Sequence, residues 1–234
     1  MTRTQTILTI SGCLLITFCM GSIHAFSTLI EDIELQTNVE RMASSFIYST
    51  GLISVTLAVF FGYSLYRRLS AFMLMLIATI LPFAGMMLTS SETWLGWLLG
   101  YGVFFGFASG LGDGFSLHAC TIVTAKEKRG LALGAVTGAY ALGAVTFSII
   151  YPDLLNKFNL NTAYIIATVM ISSLVGIGAI LLFLSKVETR SKPDKQQALK
   201  PKHIGFVRLW FGYCFGVFAG LMAIGHAVPI IKTM

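Results

Sequence analysis

Residues 98–152 read LLGYGVFFGFASGLGDGFSLHACTIVTAKEKRGLALGAVTGAYALGAVTFSIIYP, and this stretch decides the fold. It contains two long apolar segments joined by a short basic turn, KEKR, at 126–129. The first segment carries Asp113, an acidic residue inside a hydrophobic run. In lipid, a carboxylate that faces hydrocarbon costs at least about 2.5–3.5 kcal/mol. We therefore expect Asp113 to face protein or a cavity.

Glycines recur at every fourth position in both segments. Residues four apart share one face of a helix, and faces of small residues let neighbouring backbones approach closely. Each set therefore predicts a helix-packing surface. The sets are Gly102, Gly106 and Gly110 in the first segment, and Gly130, Gly134 and Gly138 in the second.

The composition indicates a membrane protein. Hydrophobic residues make up 56% of the chain and charged residues 11%, and the mean hydropathy is +0.80. The four cysteines lack metal-ligand spacing and lie in apolar segments, so we interpret them as packing residues. The sequence shows no phosphate loop, metal cluster or nucleophile triad. We therefore predict neither an enzyme nor a cofactor.

The hydropathy pattern predicts seven transmembrane spans in an all-α membrane protein. At 1.5 Å per residue, the first of these is long enough to cross a hydrocarbon layer of roughly 30 Å. Residues 1–185 form a predicted six-helix bundle, 186–204 a basic cytoplasmic linker, and 205–234 a seventh helix that begins an incomplete second bundle. The predicted spans are 7–30, 42–65, 71–88, 94–121, 131–151 (ended by Pro152), 162–185 and 205–231.

Lysine and arginine positions predict the orientation. A cytoplasmic N-terminus places thirteen of the sixteen on the cytoplasmic side, and only Arg41, Lys157 and Lys232 fall outside. This agrees with the positive-inside rule and predicts a multi-pass protein of the cell inner membrane. It also explains the net charge of +6 without a nucleic-acid partner.

Two short segments resemble a known family. Residues 129–134 read RGLALG at the start of the fifth span, and residues 219–225 read AGLMAIG in the seventh. They resemble the monocarboxylate and oxalate/formate antiporter branch of the major facilitator superfamily. The seven spans resemble the N-terminal half of such a transporter plus its seventh helix. The resemblance implies alternating access and a small organic anion, such as a monocarboxylate, as substrate.

The loop after the second span departs from the superfamily pattern. Gly62 and Arg67 match it, but Tyr66 stands where an aspartate is usual and Leu69 where a second glycine is usual. In the superfamily this loop pattern supplies a charge relay at the inner gate. The departure weakens the prediction that this chain has the same relay. We still assign Gly62, Arg67 and Arg129 to inner-gate or loop contacts.

By the same resemblance, the first, fourth and seventh helices line a central cavity. Each carries an ionisable residue, namely His24, Asp113 and His226, and we predict these for the substrate or proton pathway. The rise per residue places Asp113 on the order of 15–20 Å from either histidine along the membrane normal. Alternatively, the histidines hold neighbouring helices together and Asp113 makes a structural contact. His118 is predicted to lie at the inner interface.

Two further interpretations remain open. The chain could be a half-transporter that needs a second copy or the missing C-terminal half. It could also be a non-transporting membrane scaffold or sensor, with residues 186–203 binding partners or anionic lipid.

Overall fold

The computed structural model describes residues 2–187 and the isolated positions Arg208, Phe211, Gly212 and Phe215. These residues form helices and no strand, which confirms the all-α prediction. Most of the predicted seventh span and nearly all of the linker lie outside the described residues. Six helical stretches, numbered here as the first to sixth spans, are long and apolar enough to cross a membrane: Arg3–Thr28, Arg41–Gly62, Ala71–Thr89, Trp94–Val123, Lys126–Leu155 and Leu160–Ser185.

The first span changes its helical geometry along its length. It is an α-helix over Arg3–Met20 and a 3₁₀-helix over Gly21–Thr28. The α-helix begins with a capping box, in which the Thr2 hydroxyl accepts a hydrogen bond from the Gln5 backbone N–H at 3.3 Å. The tighter 3₁₀ segment carries His24, so its geometry sets where that ring points.

The fourth span is also irregular. It begins as an α-helix over Trp94–Trp97, becomes a π-helix over Leu98–Phe105, and returns to an α-helix over Gly106–Val123. The π-helical segment coincides with a close backbone contact to the third span, where a Cβ on Gly100 would overlap the carbonyl oxygen of Gly85. Segments of this kind are rare and are frequent at functional sites.

The remaining spans are α-helices whose ends differ slightly from the prediction. The second span lies within the helix Arg41–Arg68, the third is Ala71–Thr89, and the sixth is Leu160–Ser185. The fifth span's α-helix is Arg129–Leu155 and includes Pro152 in its last turns. The prediction that this proline ends the span is therefore wrong, because transmembrane helices tolerate proline where neighbours satisfy the backbone.

A short helix, Ile30–Thr37, connects the first two spans. Its Gln36 accepts a hydrogen bond from Trp97 Nε1 at 3.1 Å and donates one to Asn161 Oδ1 at 3.3 Å. Its Glu34 pairs with Arg41 Nε at 2.6 Å. These contacts hold the ends of the first, second, fourth and sixth spans together on one side of the bundle.

The first span lies at the centre of the described bundle. It packs against the fourth, fifth and sixth spans, while the second packs on the fourth, and the third on the fourth and sixth. Contact with the sixth span is close, because a Cβ on Gly12 would lie 3.0 Å from the carbonyl oxygen of Gly178. The interior faces of the first and fourth spans are therefore fixed by several neighbours.

Candidate functional site

Three side chains meet around the 3₁₀ segment of the first span. His24 Nδ1 lies 2.8 Å from the Tyr48 hydroxyl of the second span. The His24 ring also packs edge-on against Tyr140 of the fifth span, with ring centroids 5.3 Å apart. We call His24, Tyr48 and Tyr140 the His24 cluster. It joins three spans and includes a hydrogen bond between two of its members.

Nearby polar groups of the fourth span are also hydrogen-bonded. The Tyr101 hydroxyl donates to the carbonyl oxygen of Ile23 at 2.9 Å, and the Ser109 hydroxyl donates to that of Met20 at 3.0 Å. Both carbonyls lie at or next to the start of the 3₁₀ segment, where the regular α-helical pattern of hydrogen bonds ends. The fourth span therefore stabilises the backbone that presents His24.

Asp113 is half-buried, and its surroundings differ from those of His24. Within the described part of the chain, no hydrogen bond or ion pair joins its carboxyl group to another residue. It interacts electrostatically with Tyr66, which follows the second span in the helix Arg41–Arg68, and with Tyr140 of the fifth span. The neighbouring Gly112 faces Met20 and Ile16 of the first span, which are apolar. The carboxyl group thus interacts electrostatically with two tyrosines and forms no ion pair with a described residue.

Tyr140 contacts the His24 ring and approaches Ser109, which lies one turn before Asp113 on the fourth span. Ser109 bonds the backbone of Met20, and His24 and Asp113 each lie one helical turn beyond that contact, in opposite directions. The Tyr140 hydroxyl lies 3.5 Å from Ser109 Oγ, at the level between the two residues. The structure does not bring the aspartate and histidine into direct contact.

Sequence reasoning missed both Tyr140 and Tyr66 as interior residues near Asp113. Each is a tyrosine within an apolar helix, and a buried hydroxyl needs a polar neighbour. That requirement could have marked them as interior positions. It could not have identified the partner, because the crossing of the first and fifth spans decides which residues meet.

The residues assigned to the inner gate have three different outcomes. A Cβ on Gly62 would overlap the hydroxyl of Tyr66, so this glycine makes room for that side chain. Arg129 Nε donates to the carbonyl oxygen of Thr124 at 3.3 Å, at the C-terminal end of the fourth span, where a cation is favourable. The side chain of Arg67 lies outside the described atoms. His226, which was predicted for the substrate or proton pathway, lies outside the described residues.

The two glycine sets have opposite surroundings. A Cβ on Gly102 would lie 3.1 Å from the carbonyl oxygen of Ile47, and one on Gly106 would lie 2.7 Å from that of Gly51. Gly110 likewise faces Val55 and Ala58, so the whole set packs against the second span. Around Gly130, Gly134 and Gly138, none of the described residues comes within 4 Å of such a Cβ.

No group of three or more His, Cys, Asp or Glu residues in the described ranges could hold a metal ion. Cys13, Cys19 and Cys120 are buried free thiols in the first and fourth spans. The polar interior therefore consists mainly of imidazole, hydroxyl and carboxyl groups.

Six helices that are long and apolar enough to cross a membrane define the chain as a multi-pass membrane protein. The chain belongs to the Major Facilitator Superfamily, because the model of that family matches residues 5–234. It is similar to YhjX of Escherichia coli strain K12, described as an uncharacterized MFS-type transporter. The two are 27% identical over 239 aligned residues, which cover 97% of this chain and 58% of YhjX. The chain thus spans less than two thirds of that relative's length.

Proposed function

We propose that the chain forms part of a secondary transporter that moves a small organic anion, such as a monocarboxylate, by alternating access. The observation that carries this proposal is Asp113, a half-buried carboxyl group without a hydrogen-bond or ion-pair partner among the described residues. Ionisable groups inside membrane spans usually mark substrate or ion pathways. The RGLALG segment at 129–134 supports the choice of substrate class.

In this proposal, His24 and Asp113 lie on one pathway through the bundle. His24 contacts the substrate or lies on the proton pathway, since ionisable groups inside membrane spans usually mark such pathways. Its hydrogen bond to Tyr48 orients the ring, and Tyr140 packs against it. The prediction that His226 faces the same cavity is part of the proposal.

We further propose a cell inner membrane location with the N-terminus in the cytoplasm, supported by the distribution of basic residues. The open glycine set of the fifth span supports the idea that further polypeptide, either additional helices or a second copy, completes the transporter. Rigid-body rocking of two bundles around a midplane site would then expose the substrate to each side in turn.

The test is uptake of labelled formate, acetate and lactate by cells that express the polypeptide. Asp113→Asn should lower uptake to the level of cells without the protein while its amount in the membrane stays unchanged. The amide has the same shape but cannot hold the carboxylate's charge.

Glu127→Gln is the matched control, because Glu127 is an exposed carboxylate in the basic turn. This variant should transport normally. Uptake that is retained in Asp113→Asn would remove the aspartate from the mechanism. Absence of uptake for every organic anion supplied to the unmodified protein would overturn the proposed substrate class.

A further inference from the structure

Two buried thiols meet where the first and fourth spans pack together. Cys13 belongs to the first span and Cys120 to the fourth, and each residue is 0% exposed. Their thiols share a side-chain hydrogen bond across the interface between the two helices. Both cysteines are free, so the two thiols are in the reduced form. We call Cys13 and Cys120 the thiol pair.

The packing of the two helices holds the thiol pair in place. A Cβ on Gly112 would lie 2.9 Å from a side-chain carbon of Met20 and 3.1 Å from one of Ile16, so the helices are in close contact about two turns from Cys120. The Ser109 hydroxyl donates to the carbonyl oxygen of Met20 at 3.0 Å and ties the same two spans together. The thiols therefore face each other because of helix packing, and their separation is fixed by it.

A hydroxyl group lies beside the thiol pair. The Ser116 side chain, one turn before Cys120, forms a side-chain hydrogen bond with the Cys13 thiol. The same hydroxyl donates to the carbonyl oxygen of Gly112 at 2.7 Å. The thiolate is the nucleophilic form of cysteine, and a hydroxyl donor stabilises the negative charge that develops on sulfur. Ser116 therefore supplies a polar group for thiol chemistry in an otherwise apolar interior.

Cys19 provides a comparison within the first span. It is also 0% exposed, but its thiol forms no side-chain hydrogen bond with another residue among those that the structure describes. Packing accounts for Cys19, since a free thiol behaves as a small apolar side chain. The contact between two thiols gives the thiol pair a chemistry that Cys19 lacks.

We propose that the thiol pair is a modification site, at which hydrogen peroxide forms a reversible disulfide between the first and fourth spans. Peroxide oxidises one thiol to a sulfenic acid and releases one water. The second thiol then attacks the sulfenic sulfur, forms the S–S bond and releases a second water. Each sulfur loses one electron, and the two peroxide oxygens are reduced to water. A dithiol reductant restores both thiols by exchange.

The surroundings of the thiol pair favour a disulfide over a bound metal ion. Two thiolates can bind a soft cation such as Cu(I), but that complex keeps one negative charge, which is costly in an apolar interior. The disulfide is neutral, and so is the small oxidant that must reach a fully buried site. Because the first span packs against the fourth, fifth and sixth spans, the bond would fix the central helix of the bundle to one neighbour.

The first experiment counts free thiols in the purified full polypeptide in detergent. The protein is treated with hydrogen peroxide, then unfolded and alkylated with N-ethylmaleimide, and its intact mass is measured. The sequence has four cysteines. We therefore expect four adducts before oxidation, two after it, and four again after reduction with dithiothreitol. Chymotrypsin cuts between Cys13 and Cys19, so peptide mapping should recover a Cys13 peptide linked to a Cys120 peptide.

Variants assign the oxidation to the thiol pair. Cys13→Ala and Cys120→Ala should each abolish the disulfide, whereas Cys19→Ala, the matched control, should fall from three adducts to one. Ser116→Ala should slow disulfide formation about tenfold, as expected for one lost hydrogen bond to a charged group. If the alanine variants at the pair do not fold, the peptide map of the unmodified protein still identifies the two bonded cysteines.

A second readout is thermal unfolding of the unmodified protein. A disulfide between residues far apart in the chain restricts the unfolded state, so oxidation should raise the unfolding temperature by about 5 °C or more. Dithiothreitol should reverse the increase. Cys19→Ala should show the same increase, and Cys120→Ala should show none.

Four thiols that stay reactive after peroxide treatment would overturn the proposal. A disulfide that involves Cys19 or Cys214, or one that joins two polypeptides, would also overturn it. Copper that copurifies with the protein and blocks alkylation until a chelator removes it would identify a metal site instead. The assays contain no transported solute, so their outcome does not depend on the proposed transport function.

Discussion

The fourth and fifth spans contain the same glycine spacing in opposite surroundings. In the fourth, the residues at 102, 106 and 110 lie against the backbone of the second span. In the fifth, the residues at 130, 134 and 138 face open space within the described bundle. Helical spacing shows that small residues share a face, but it does not show what covers that face.

The packing of the fifth span explains the difference. Gly143 and Tyr140 lie against the first span, where a Cβ on Gly143 would overlap the carbonyl oxygen of Phe18. Gly134 precedes Gly143 by nine residues, which corresponds to a rotation of about 180° on an α-helix. The face at 130, 134 and 138 is therefore turned away from the bundle that the fifth span supports.

The largest effect is expected from Gly110→Leu in the fourth span. A Cβ at this position would already lie 2.8 Å from the Cβ of Ala58, and leucine adds three further carbons. Overpacking typically costs 1–3 kcal/mol and occasionally more, so we expect a loss of about 3 kcal/mol or more. The measurement is the yield of folded protein and its unfolding free energy in mixed SDS micelles. Gly138→Leu is the matched control in the fifth span and should fold normally.

Equal stability of these two leucine variants would contradict the comparison. It would mean that the second and fourth spans separate readily, or that the glycine set of the fifth span is packed as tightly as that of the fourth.

An intermediate effect is expected from Gly143→Ala. This variant tests whether the cost of added volume depends on which face of the fifth span carries it. The added methyl group would collide with the backbone of Phe18, so the first and fifth spans must move apart. We expect a loss of about 1–3 kcal/mol in unfolding free energy. Gly138→Ala, five residues earlier on the same helix, should cost nothing. If both variants behave alike, then the fifth span is not anchored at Gly143.

Much of the fold follows from hydropathy alone. Long apolar runs must be helical in lipid, since every backbone polar group needs a partner within its own segment. That requirement predicted the six described spans, including the one around Asp113. It could not predict the 3₁₀ segment at Gly21–Thr28 or the π-helical segment at Leu98–Phe105, because these depend on how neighbouring backbones meet.

The candidate site was less predictable than the fold. Asp113 and His24 are conspicuous in the sequence because each is ionisable within an apolar span. Tyr66 and Tyr140 are not, because tyrosine is common in membrane helices and only the crossing of spans places a hydroxyl near the carboxyl group. The sequence did show that Tyr66 stands where the superfamily pattern has an aspartate. The stacking of the Tyr66 ring on His118 could be recognised only from the three-dimensional structure.

The smallest effect, of opposite sign, is expected from Gly134→Ala. Glycine inside a helix costs backbone entropy, and replacement by alanine where space exists stabilises a protein by about 0.4–1 kcal/mol. The described residues leave space around Gly134. The unfolding free energy of the Gly134→Ala variant in mixed micelles should therefore rise, while that of the Gly106→Ala variant should fall. A loss of stability in Gly134→Ala would instead show that further polypeptide or a second copy packs on this stripe. The sign of this change therefore shows whether the open stripe is covered in the complete assembly.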